Sequence, residues 1–237
     1  MKKFFYIASL MLCSQVSGAQ VIIALLFGDK LNTDKLEFGL VLNPCWTNIS
    51  GIESSRKSGL HFGLYFNVKL NDYFTFHPEL IAKGTFGAKD IRPYPTGNDS
   101  LDALFASGSI LRKIKAFGMP LLIRGRIKNK LQAEAGLQIN WHLKTKDIFE
   151  TEVNGNDLEY TTEISDDITT FDVGVLGGLV YKLKKEKGMA LGVRYFYGLT
   201  DVVKTIENTQ RNDAWLITIS IPVGAGKSND QKKNVKN

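Results

Sequence analysis

Eight segments of the chain alternate with a period of two, and their oily faces carry no charge. Take residues 59–70. Leu60, Phe62, Leu64, Phe66, Val68 and Leu70 fall on one face, and Gly59, His61, Gly63, Tyr65, Asn67 and Lys69 on the other. A helix repeats every ~3.6 residues and cannot produce this pattern, whereas a strand with one apolar face does. The same alternation runs through residues 35–43, 73–86, 117–127, 131–143, 171–183, 189–199 and 215–223. The eight apolar faces together hold 48 positions, and none is charged in a chain that is 23% charged.

The connections add a second regularity. Segments two and three are joined by Asn71-Asp72, four and five by Lys128-Asn129-Lys130, and six and seven by a short stretch at 184–188. The others are long, at 44–58, 87–116, 144–170 and 200–214. Alternating long and short connections mark an antiparallel up-and-down barrel in an outer membrane, with short turns toward the periplasm and long loops outside.

A soluble eight-stranded barrel of the lipocalin kind also alternates, but with its oily face inward. Here the polar faces carry Gly39, Gly63, Gly136, Gly174, Gly178 and Gly192. A solvated face gains nothing from glycine, whereas a narrow lumen needs the room. The aromatic residues also sort by position. Trp141, Phe171, Tyr195, Tyr197 and Trp215, with Phe62 and Phe86, fall toward the loop ends, and Phe74, Phe76 and Tyr181 toward the turn ends. Two such girdles mark the two interfaces of a bilayer. The pattern predicts an all-β fold, an eight-stranded transmembrane β-barrel over residues 35–223. Its lipid-facing girdles hold Phe74, Trp141, Phe171, Tyr181, Tyr195, Tyr197 and Trp215. A soluble exported carrier is the alternative.

The charge falls on the inward faces. Glu37, Glu79, Glu134 and Asp172 can pair with Lys83, Arg124, Arg126 and Arg194. Eight strands enclose a lumen just wide enough for side chains to fill. The expectation is a plugged lumen without conductance. Pro78 and Pro120 are awkward in central strands and predict bulges.

The net charge of +6 points elsewhere than to nucleic acid. Lys2 and Lys3, with a tail that sets Lys227, Lys232, Lys233 and Lys236 against Asp230, account for five of the six charges. The body is left without an electrostatic footprint for a polyanion. Lys2-Lys3, the apolar run at 4–12 and the small residues Ser17-Gly18-Ala19 read as an export signal over residues 1–19, cleaved near Ala19. A signal acylated at Cys13 is the alternative, with Leu12 large for the position before it. After cleavage Cys45 is the one cysteine, so no intrachain disulfide is expected. Residues 20–34 are expected at the periplasmic mouth, as a short helix over 21–27 or an extension of the first strand. Residues 224–237 read as a disordered polar tail.

The stretch from Ala24 to Leu31 and then Leu36-Glu37-Phe38-Gly39-Leu40 resembles the start of mature Bacteroidetes outer-membrane β-barrel proteins, often called PorT-like. Met119-Pro120-Leu121-Leu122-Ile123-Arg124 is similar to the Ile-Pro-Leu-Leu-hydrophobic-basic strand of that family. Lys115-Ala116-Phe117-Gly118 stands where the family usually has a Tyr-Leu-Glu tract. The resemblance implies an OmpA/OmpX-type eight-stranded barrel in the outer membrane. It implies no single activity, although one member type contributes to protein secretion.

Chemistry has few candidates. His61 and His142 lie on polar faces near the loop ends, and His77 lies low on the third segment. A membrane-embedded enzyme would need such a histidine beside a carboxylate or serine. The expectation is that these are polar lumen residues. No metal-ligand spacing or phosphate loop is present, so no cofactor or metal is expected. Residues 154–157 and Asp166-Asp167 read as solvated loop rather than a calcium site. Residues 91–95 and 160–162 are loop positions able to meet a partner. The sequence therefore reads as an integral outer-membrane protein, structural or binding through its extracellular loops, and neither pore nor enzyme. An embedded enzyme and a secretion component are the alternatives. Expected partners are outer-membrane lipid, the barrel-assembly machinery during insertion, and an extracellular or periplasmic protein.

Overall fold

The computed structural model describes residues 35–184, 188–204 and 208–223. The export signal at 1–19, the segment at 20–34 and the tail at 224–237 lie outside the described residues. The strands are β1 (Leu36–Ser50), β2 (Ser55–Lys69), β3 (Phe74–Phe86), β4 (Ala88–Lys89) and β5 (Ser109–Arg126). They continue as β6 (Leu131–Val153), β7 (Asn156–Glu163), β8 (Phe171–Lys182), β9 (Ala190–Gly198) and β10 (Arg211–Pro222). Helix α1 (Asp99–Phe105) precedes β5. Eight strands form an antiparallel ring in the order β1-β2-β3-β5-β6-β8-β9-β10, and β10 pairs with β1 to close it. Hydrocarbon offers no partner to a free backbone N–H or C=O, so closure is what permits the wall to face lipid. β4 pairs with β2, and β7 pairs with β6 outside the ring.

The wall is oily on its outside. Leu137, Leu179 and Val193 are 50%, 53% and 52% exposed, and Trp141, Phe171 and Trp215 are about as exposed. A soluble carrier would bury these side chains. Trp141 stacks on Phe171 with ring centroids 5.9 Å apart, and Tyr195 packs on Trp215 at 4.7 Å. Phe74 and Tyr181 are exposed near the turn ends of their strands. Trp46 joins from β1, opposite Trp215.

Several strands run well past the segments that the alternation marks. β1 continues to Ser50, β5 begins at Ser109 and β6 reaches Val153. Much of the expected long loops is therefore strand. The reason is that the alternation continues there with its sense reversed. Lys113, Lys115, Lys144 and Lys146 lie on the outer face, while Ile110, Ile114 and Phe149 are buried inside. β6 and β7 close a hairpin at Asn154-Gly155, whose φ values of 54° and 78° suit Asn and Gly.

One expectation fails at a bulge. β3 carries an extra residue between Ile81 and Gly84, relative to both β2 and β5. A single inserted residue sends the following side chains to the opposite face. Lys83, expected in the lumen, instead pairs with outward-facing Phe62 and is exposed. Phe86, expected in the outer girdle, points inward and is buried. Pro78 and Pro120 themselves sit in regular register, opposite Leu121 and Gln138.

Candidate functional site

The lower lumen holds a continuous polar network. Glu134 on β6 accepts from both arginines, from Arg124 Nε at 2.7 Å and from Arg194 Nε at 2.5 Å. Arg194 Nη2 also reaches Glu79 at 2.7 Å. His77 Nε2 lies 2.8 Å from Glu79 and 2.9 Å from Arg124, and its Nδ1 lies 2.6 Å from Asn67 Oδ1. Asn67 in turn donates to Glu37, as does the Tyr65 hydroxyl. All these side chains are buried. Burying a charge without a partner is costly, so the network is one unit. Gly178 makes room for it, since a Cβ there would stand 2.9 Å from Arg194 Cγ.

Besides Lys83, two residues expected in this network lie apart from it. Arg126 is exposed at the turn end, with its guanidinium 5.3 Å from the Tyr73 ring centroid. Asp172 meets no arginine; it accepts from Asn212 Nδ2 at 3.0 Å and lies 3.9 Å from His142. Lys182, inward on β8, interacts electrostatically with Glu37 and adds a cation that the expected set did not include.

Above the network the interior turns apolar. Phe86, Phe196, Ile114, Leu176 and Leu216 fill the barrel, continuous with Ile110, Phe149 and Phe105 under the loops. α1 is fixed over this layer. The Asn98 side chain caps it, accepting from the N–H groups of Ser100 and Leu101. Thr96 donates its N–H and its hydroxyl to Asp102, each at 2.7 Å. Those bonds hold the Asp102 carboxyl below its usual range. Phe105 packs on Phe149 and Tyr160, with centroids at 6.0 Å and 6.4 Å.

A cleft of about 390 Å³ opens on the loop side of this layer. Tyr94, Pro95 and Thr96 line one side, Tyr160, Thr162, Glu163 and Ile164 another, and Arg112, Asp167 and Val203 complete it. Arg112 is held by two hydrogen bonds to Asp147, at 2.8 Å and 2.7 Å, and Tyr94 donates its hydroxyl to the same carboxylate at 3.0 Å. Burial pushes the Tyr94 phenol up, and the Asp147 charge adds to it. Burial works against the Arg112 charge, but its bonds to Asp147 outweigh that and raise its pKa. The segments 91–95 and 160–162 thus converge, although Ile91 itself is buried and bridged to Ile110. Arg112 and Asp147 were not legible as a pair. They stand 35 residues apart, and only the β5–β6 register sets them opposite each other.

A closed ring with this outer face has known counterparts. Residues 31–204 match the family model described as the outer membrane protein beta-barrel domain. The chain belongs to that family. Comparison with curated proteins finds no match. Among solved structures, this outer-membrane barrel is similar to Ail, the attachment invasion locus protein of Yersinia pestis, at 10% identity and a TM-score of 0.44. That alignment covers 79% of this chain and 99% of Ail. Neisserial surface protein A aligns at 13% identity and a TM-score of 0.42, over 78% of this chain and 96% of the other. OprG of Pseudomonas aeruginosa aligns at 12% identity and a TM-score of 0.32, over 79% and 93%.

The histidines of this outer-membrane barrel do not meet. His61 Nε2 lies 3.0 Å from the Thr85 carbonyl, and His142 Nδ1 lies 2.7 Å from that of Thr169. The Phe86 ring packs on both, with centroids 5.0 Å from His61 and 6.5 Å from His142. Among the described residues no group of His, Cys, Asp or Glu is arranged to hold a metal ion.

Proposed function

We propose that this outer-membrane barrel binds a ligand through its extracellular cleft and conducts nothing. The observation that carries the proposal is the cleft itself. The segment at 91–95 and strand β7 converge there over Arg112, which Asp147 fixes together with Tyr94. A rigid scaffold that presents aromatic and polar side chains is the usual basis of recognition. Tyr94 and Tyr160 supply apolar faces, and Thr96, Thr162, Glu163 and Asp167 supply acceptors. This chemistry suits a small glycan or a short peptide rather than an anion, because the Arg112 charge is already taken by Asp147.

Two filled layers support a closed lumen, the Glu134 network below and the Phe86–Phe196 layer above. His77 and His142 do lie beside carboxylates, Glu79 and Asp172, but both pairs are buried and neither lines the cleft, which supports binding over catalysis. Export through a cleaved signal near Ala19 and a PorT-like Bacteroidetes affiliation rest on the sequence motifs and belong to the same proposal. A panel of immobilised glycans and short peptides tests the cleft with the full-length protein in detergent. At least one probe should bind, and Tyr160→Ala should weaken that binding about tenfold. Absence of any binding, or binding indifferent to Tyr160→Ala, would overturn the cleft. Stable single-channel currents in a planar bilayer would overturn the closed lumen.

A further inference from the structure

Two irregularities at one height create a surface that the cleft does not use. β3 carries its extra residue at 82–83, and β6 carries one between His142 and Lys144. Both flank the stretch of β5 from Ala116 to Gly118, one on each side. Each bulge reverses which side chains face out. In β3 it sends Lys83 outward, and in β6 it sends Lys144 and Lys146 outward while Thr145 and Asp147 go in. Without the β6 bulge, the lysines would follow His142 into the barrel.

The outcome is a grid of like charge. Lys113 stands directly opposite Lys146, and Lys115 directly opposite Lys144. Lys83 adds a fifth ammonium from the neighbouring strand. Like charges directly opposite each other destabilise a sheet. One acid answers them: Glu163 lies opposite Lys146 and forms an ion pair with Lys144 at 2.6 Å. Among the described residues, the side chains of Lys83, Lys113, Lys115 and Lys146 make no hydrogen bond or ion pair. The next pair of outward side chains toward the membrane on β5 and β6 is Phe117 and Trp141, so the grid continues the lipid-facing wall.

We propose that this grid binds the phosphate groups of lipids in the outer leaflet. The charges stand where headgroups begin, just beyond the last aromatic pair of the hydrocarbon belt. Lysine stems can lie along Phe117 and Trp141 while the ammoniums reach outward. A phosphate shared by a facing pair removes the repulsion that the register imposes, and it does so without ordering any loop. The lysines form a site on the wall, outside the cleft, which they adjoin only through Glu163.

Native mass spectrometry of the full-length protein, released from detergent after exposure to lipid A, tests the proposal. The unmodified protein should retain lipid A, and should retain its dephosphorylated form about tenfold less. The triple variant Lys113→Gln, Lys115→Gln, Lys146→Gln should lower lipid A retention to the level of the dephosphorylated lipid. Glu163→Gln, which frees Lys144, should raise it. Equal retention of the two lipids, or full retention by the triple variant, would overturn the proposal. So would displacement of the lipid by inorganic phosphate alone. Heat-shift electrophoresis reports whether the variants fold, and the comparison of the two lipids on the unmodified protein decides the matter without any variant.

Discussion

The barrel is two proteins stacked along one set of strands. Its turn-side half is oily outside and polar inside, with Leu137 and Leu179 on the wall and Glu134, Arg124 and Arg194 in the lumen. Its loop-side half is charged outside and oily inside, with Lys113 and Lys146 on the wall and Ile114 and Phe149 within. The same backbone ladder serves both. What differs is the solvent. Lipid rewards apolar side chains on the wall and leaves the polar ones to pair inside, whereas water rewards the reverse. The bulges in β3 and β6 lie where one regime gives way to the other.

The largest expected effect tests how each half is held. Glu134→Ala leaves Arg124 and Arg194 without their shared carboxylate and should cost about 3–5 kcal/mol. Denaturant unfolding in detergent micelles measures it, and a cost below ~1 kcal/mol would mean that the network is not a unit. A smaller effect sharpens the boundary on the outer wall. Leu137→Arg should cost about 2–4 kcal/mol in a bilayer. Ser109→Arg, also outward but in the loop-side half, should change stability by no more than about 0.5 kcal/mol. Equal costs, measured by folding in lipid vesicles, would erase the proposed boundary.

The smallest effect is a pH dependence confined to the loop side. The Asp102 carboxyl is held below its usual range by Thr96. Such a group favours the folded form above its ordinary pKa, and that contribution fades as the pH falls through the lowered value. Amide exchange at the start of α1 and at Thr96 should therefore quicken as the medium is acidified below about pH 4, while the barrel strands stay protected. No change at Thr96 would remove the Asp102 anchor from the account of the cleft.

Much of the turn-side half is legible in the alternation. Residues 59–70 and 131–143 show which side chains face lipid, and parity then places Glu134, Arg124 and Arg194 inside. The loop-side half is hidden for the same reason. Its strands alternate in the opposite sense, so a search for uncharged faces stops at Phe117 and Leu143 although the strands run on. Bulges hide further. Nothing local to Ala82-Lys83 announces the extra residue that sends Lys83 out and Phe86 in. The cleft is less legible still. Residues 91–95 and 160–162 are recognisable as loop positions, but the floor they share needs the β5–β6 register to bring Arg112 to Asp147.

By itself, then, the sequence determined that eight strands would alternate, close and face lipid, because the period of two and the absence of charge are properties of neighbours along the chain. Tertiary structure decided where the alternation changes sense, which lysines leave the lumen, and which loops meet over the apolar layer. Those outcomes depend on registers and bulges between strands far apart in sequence, where a single residue more or less exchanges inside for outside.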